Sequence, residues 1–131
     1  VRREQKEAEG DPERRAARQR LHREILEYQM LERVAQADCV IINPARLAIA
    51  LRYDARQMSA PTVVARGQNA MAQRIRQQAR RHGIPLVRNV PLARALIELE
   101  IDQQIPRELY EAVAEVLRFV YAAAGDKKSS M

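Results

Sequence analysis

Asp38-Cys39-Val40-Ile41-Ile42-Asn43 is a short β-rich run that Pro44 stops, and Arg46-Leu47-Ala48-Ile49-Ala50-Leu51-Arg52-Tyr53 then resumes the extended pattern. Successive side chains of a strand point to opposite faces, so Leu47, Ile49, Leu51 and Tyr53 face one way and Ala48 and Ala50 the other. Both faces are apolar, which marks this strand as central, with cover on each side. The tight link at Asn43-Pro44 favours antiparallel pairing of the two runs.

Working outward from that pair, residues 54–61 read as a loop and Thr62 to Arg66 as a third strand, ended by Gly67. Ala70, Met71, Ile75 and Ala79 give helical spacing, and His82-Gly83 closes that helix with a C′ glycine. Ile84 to Arg88 is a fourth strand. A strand–helix–strand unit needs a crossover, so the third and fourth strands are predicted to form a parallel pair, right-handed. Pro91 opens a short helix through Leu92, Ala95, Leu96 and Leu99. Pro106 opens another, with Leu109, Tyr110, Val113, Val116, Leu117, Val120 and Tyr121 on one wide apolar face. Upstream, Asp11-Pro12 suits an N-cap and first helical turn. Ala17, Leu21, Ile25, Tyr28 and Leu31 follow as a narrow stripe on a charged helix over 12–36. The expected fold is α/β: a small four-stranded mixed sheet covered by helices 68–82, 91–100 and 106–123, with an N-terminal projecting stalk helix. The expected organisation is a charged linker and stalk at 1–37, a globular domain at 38–125 and a disordered tail at 126–131, with residues 1–10 mobile.

The 131 residues suit one compact domain plus an extension, and with no Trp and one Phe the core must be aliphatic. The one cysteine, Cys39, excludes an internal disulfide and reads as a small core residue. No apolar stretch approaches a membrane span, and no leader pattern opens the chain. The net charge of +6 comes from residues 37–101, which hold ten arginines against four acids. Arg74, Arg76, Arg80 and Arg81 share one predicted helix, flanked by Arg66 and Arg88. That face would suit phosphates, yet interleaved aromatics, a glycine-rich loop and a helix-turn-helix are missing. A basic nucleic-acid-binding domain is therefore the second reading, behind a basic face for acidic protein or lipid headgroups. His22 and His82 lack ligand partners at helical spacing, Glu98 and Glu100 point apart, and neither a metal site nor a cofactor is expected.

Asn43-Pro44 carries chemistry without a further partner. An asparagine side-chain nitrogen can attack its own backbone carbonyl, forming a succinimide and expelling the next residue's nitrogen. The usual competitor, attack by the following backbone N–H on the side chain, is removed because proline has no N–H. What remains is geometric: a turn that holds nitrogen near carbonyl, with donors for the oxyanion.

Ala37 to Pro44, then Leu47 to Asp54, closely resemble the cytoplasmic domain of the FlhB/YscU family, the switch proteins of flagellar and injectisome type III secretion. The resemblance continues through Met58-Ser59-Ala60-Pro61-Thr62-Val63-Val64-Ala65-Arg66-Gly67 and Pro91-Leu92-Ala93-Arg94-Ala95-Leu96. It ends strongly at Ile105-Pro106-Arg107-Glu108-Leu109-Tyr110-Glu111-Ala112-Val113-Ala114-Glu115-Val116-Leu117, and Glu9-Gly10-Asp11-Pro12 matches upstream. It implies control of substrate-specificity switching, with self-cleavage between Asn43 and Pro44. It implies a membrane-embedded parent at the cytoplasmic face of the bacterial inner membrane, with Val1 lying beyond the membrane region. Implied partners are other export-apparatus proteins, a length-control protein and secretion substrates or their chaperones, not nucleic acid. The chain departs from the pattern where the family's Thr and His are replaced by Ala45 and Arg46, the supporting residues of the loop. Arg46 cannot accept a proton at neutral pH, so cleavage is expected to be slowed or absent. Asp102 stands where the family often has Gly, and only a local loop change is expected there.

Overall fold

The computed structural model describes residues 11–125. Contacts divide the chain into residues up to Met30 and residues from Leu31 onward. Helix α1 (Pro12–Arg33) carries the first unit and ends in the second, where a 3-10 turn, Val34–Gln36, follows. Its start is the predicted cap: the Asp11 carboxylate accepts from the Arg14 N–H at 2.9 Å. Leu21, Ile25 and Tyr28 of the apolar stripe are exposed. No helix among the described residues is long and apolar enough to cross a membrane. The expectations for residues 1–10 and 126–131 lie outside the described residues.

From Leu31 the order is β1 (Cys39–Asn43), β2 (Leu47–Arg52), β3 (Thr62–Gln68), α2 (Ala70–Arg81), β4 (Leu86–Arg88), α3 (Val90–Leu96) and α4 (Tyr110–Ala123). The four strands form one mixed sheet in the order β3-β2-β1-β4. β1 and β2 pair antiparallel with Asn43 opposite Leu47, so the hairpin predicted from Asn43-Pro44 is present. β2 is internal, as its two apolar faces require, and both its Leu/Ile positions and its alanines are covered.

The predicted pairing of the third and fourth strands is corrected. β4 pairs parallel with β1, Val40 opposite Leu86, while β3 pairs antiparallel with β2. β3 and β4 run the same way but stand at opposite edges of the sheet. The outer edge of β3 is taken by residues 102–105, where the Val63 N–H donates to the Gln103 carbonyl and the Asp102 N–H to the Val63 carbonyl, so the strand beyond α2 pairs on the far side of β1.

Gly67 does not end β3; the strand runs to Gln68. The glycine is there because α2 passes close: a Cβ at Gly67 would sit 2.3 Å from Met71 Cγ and 3.2 Å from Ile75 Cδ1. Gly83 closes α2 at φ +69°, with the Ile84 N–H on the Ala79 carbonyl at 2.8 Å. α3 begins one residue before Pro91, capped by the Asn89 side chain accepting from the Leu92 N–H at 3.1 Å, and it ends at Leu96. Before α4 comes a 3-10 turn, Arg107–Leu109.

The core has two sides. Cys39, Ile41, Ile49, Leu51 and Val63 meet Leu92, Leu96, Val113, Val116, Leu117 and Val120 from α3 and α4. Against the other side lies α2, burying Ala72, Ile75 and Ala79. Tyr110, placed by its spacing on the apolar face of α4, is 44% exposed.

Candidate functional site

Asn43, Pro44, Ala45 and Arg46 form the β1–β2 turn. Asn43 is half-buried at the end of β1, and the next three residues are exposed. Pairing of Asn43 with Leu47 sets the loop at three residues, and proline at its first position has the fixed φ such a turn needs. The turn closes with the Arg46 N–H donating to the Asn43 carbonyl at 2.8 Å. That carbonyl belongs to the Asn43–Pro44 peptide. A backbone donor therefore already points at the oxygen on which negative charge would develop if Asn43 cyclised.

Two further contacts reach the turn from the α2 side. The Asn69 N–H donates to the Arg46 carbonyl at 2.8 Å, and the Arg76 guanidinium donates to the Pro44 carbonyl. Asn69 adopts φ +54°, a conformation non-glycine residues rarely adopt, at the bend between β3 and α2. Sequence reasoning singled out Arg76 only as a member of a basic face. The signal that could have found it is composition: residues 55–97 hold eight arginines and no acid, so an arginine there has no local carboxylate to pair with.

Elsewhere the candidates are quiet. His22 is exposed on α1 and His82 is exposed at the C-cap of α2, and Glu98 and Glu100 are both exposed, Glu100 lying 3.5 Å from Arg66. Cys39 is fully buried, and burial, reinforced by the Asp38 charge, pushes its thiol up to about 12, which makes it a core residue and not a nucleophile. Burial and Asp38 likewise hold the Tyr121 phenol up at about 12. Asp38 also accepts from the Tyr53 N–H at 2.7 Å, tying the start of β1 to the end of β2. Among the described residues no His, Cys, Asp and Glu cluster could hold a metal ion.

A second feature was not legible as a site. An open, mostly apolar cleft of about 230 Å³ lies between Tyr53, Ala60 and Pro61 on one side and Tyr110, Ala114 and Leu117 on the other. Two stretches 50 residues apart in sequence line it together, and only the tertiary fold juxtaposes them.

Comparison with known proteins matches residues 1–120 to the model of the FlhB HrpN YscU SpaS family. The chain is 45% identical over 122 residues to the flagellar biosynthetic protein FlhB of Salmonella typhimurium, covering 92% of this chain and 32% of that protein. It is 37% identical over 131 residues to the Yop proteins translocation protein U of Yersinia pestis, covering 99% of this chain and 37% of that one. The chain thus spans about a third of the length of these curated relatives. Among solved structures, the cytoplasmic domain of FlhB from Shewanella putrefaciens superposes with a TM-score of 0.74 at 38% identity, covering 79% of this chain and 80% of that one.

Proposed function

Because this chain belongs to the FlhB HrpN YscU SpaS family, we propose that it is the cytoplasmic switch domain of a type III secretion export apparatus, with Asn43-Pro44 as its self-cleaving bond. Relatives named for flagellar biosynthesis and for Yop translocation support this reading. The finer reading adds residues 1–37 as the stalk from a membrane region at the inner membrane, and residues 38–125 as the switch. Its partners are other export components, a length-control protein and secretion substrates or their chaperones.

One observation carries the cleavage half: the Arg46 backbone N–H rests on the Asn43 carbonyl at 2.8 Å. Replacing the family's Thr and His with Ala45 and Arg46 removes side chains but leaves this donor in place. Asn43 Nδ2 attacks the Asn43 carbonyl carbon and gives a proton to water. The oxyanion accepts from the Arg46 N–H. Collapse breaks the bond to Pro44, whose nitrogen takes up a proton and leaves as a secondary amine. Water then opens the C-terminal succinimide. Without a side-chain base for the first proton the reaction is slow, since general-base catalysis is worth about 10²–10⁴-fold.

Incubating the full chain at neutral pH and following its mass tests this. Fragments 1–43 and 44–131 should accumulate over days, their summed mass exceeding the intact chain by one water, and Asn43→Ala should stay whole. A wild-type mass that never changes removes the self-cleavage and leaves the family assignment standing.

A further inference from the structure

We propose that Arg76 is a positioning residue for the Asn43–Arg46 turn: from α2 it fixes the Pro44 peptide, and through it the aim of the Arg46 N–H at the carbonyl of the bond to be cut. The inference rests on the self-cleavage reading above.

The proline ring locks φ of Pro44, which leaves ψ as its one soft backbone torsion. That torsion sets the direction of the Pro44 carbonyl and, through Ala45, where the Arg46 N–H points. The Arg76 guanidinium donates to the Pro44 carbonyl and so restrains the torsion the ring leaves free. The other end of the turn is held by the Asn69 N–H on the Arg46 carbonyl at 2.8 Å. Between the two anchors lies the 2.8 Å bond from the Arg46 N–H to the Asn43 carbonyl. Asn69 precedes the first residue of α2 and Arg76 lies in the middle of that helix, and both grip residues on the downstream side of the bond to be cut.

Arg76 is free for this task because nothing competes for it. Residues 55–97 contain no Asp or Glu, and among the described residues Arg76 has no ion-pair partner; its one hydrogen bond is to Pro44. Burial of Ala72, Ile75 and Ala79 fixes the roll of α2, and the missing Cβ at Gly67 lets the helix lie close to β3. Arg74, two residues away on the same helix, is exposed.

The test uses the full chain with Arg76→Ala, Arg76→Lys and Arg74→Ala, following fragment mass with time and hydrogen exchange of the Arg46 amide. Arg76→Ala is expected to slow cutting about fivefold, the size of one lost hydrogen bond. The Arg46 amide should exchange about fivefold faster at an unchanged unfolding midpoint. Arg76→Lys, which keeps a cationic donor, should recover part of both effects, and Arg74→Ala should change neither. Unaltered Arg46 exchange in Arg76→Ala overturns the proposal whatever the cutting rate. So does equal slowing by Arg74→Ala, which would indicate a general charge effect, and so does a lysine that restores nothing. If the wild-type chain never cuts, the self-cleavage reading falls, while the exchange measurement still decides whether Arg76 holds the turn.

Discussion

Beneath α2 the sheet carries smaller side chains than on its other face, and the difference decides where the Asn43–Arg46 turn gets its support. On the face toward α3 and α4, Ile41, Ile49 and Leu51 meet Leu96, Val113 and Val120, all buried. On the face toward α2, β2 contributes Ala48 and Ala50, and β3 contributes Ala65 and a glycine opposite Ala48. There α2 contributes Ala72 and Ala79, so where α2 crosses β2 and β3 the layer is thin apart from Ile75, while Val40 of β1, paired with Ala50, is a larger buried residue on the same face. Large residues fill volume and supply most of the apolar burial. Small residues let a helix backbone approach, and a close helix brings Asn69 and Arg76 within reach of the turn. One face stabilises the domain, and the other positions the candidate site.

The comparison predicts that damage to the two faces will separate stability from turn order. Ile49→Ala opens a cavity at a position with 0% exposure on the thick face. The expected loss is about 2–5 kcal/mol, read from the urea midpoint. Exchange of the Arg46 amide should change only as much as the global opening free energy does. An additional local loosening at Arg46 would mean the thick face also supports the turn.

Gly67→Ala acts on the thin face and is expected to cost less, about 1–3 kcal/mol, because Met71 must leave a site 2.3 Å from the new Cβ. Its distinguishing effect is at the turn. Moving α2 outward draws Arg76 and Asn69 from their acceptors, so the Arg46 amide should exchange faster than the stability loss explains. If Arg46 exchange follows global stability alone, α2 is not what holds the turn.

This division of labour explains what could be read in the sequence. Alternation of large and small residues across Leu47–Tyr53 identified β2 as central and two-faced, and Asn43-Pro44 identified the hairpin, because both are patterns within a few residues. The partner of β4 was misassigned because strand order depends on which edge is free, a property of the assembled sheet. Gly67 looked like a strand end because glycine commonly punctuates strands, whereas its role here is set by Met71 across the layer. The candidate pair, Asn43 and Pro44, was legible. The Arg76 contact with Pro44 and the cleft between Pro61 and Leu117 are long-range and were not.

Asp102 supplies the finest test, because two small terms oppose each other there. Its φ of +72° lies in the region that glycine adopts without cost and other residues do not, which gives a physical reason for the glycine expected there from the family resemblance. The carboxylate is also 2.5 Å from the Arg33 guanidinium, joining the last turn of α1 to the loop before Ile105 within the unit that begins at Leu31. Asp102→Gly relieves backbone strain of about 1 kcal/mol and removes an exposed ion pair worth about 0–1 kcal/mol. The expected net change is under about 1 kcal/mol in the urea midpoint at physiological salt. Adding salt should narrow the gap between glycine variant and wild type in whatever part belongs to the ion pair. A loss above about 2 kcal/mol would exceed what an exposed pair contributes. It would mean that Arg33 and Asp102 act as a structural clasp, so that the loop opposite the thin face is held as deliberately as the turn.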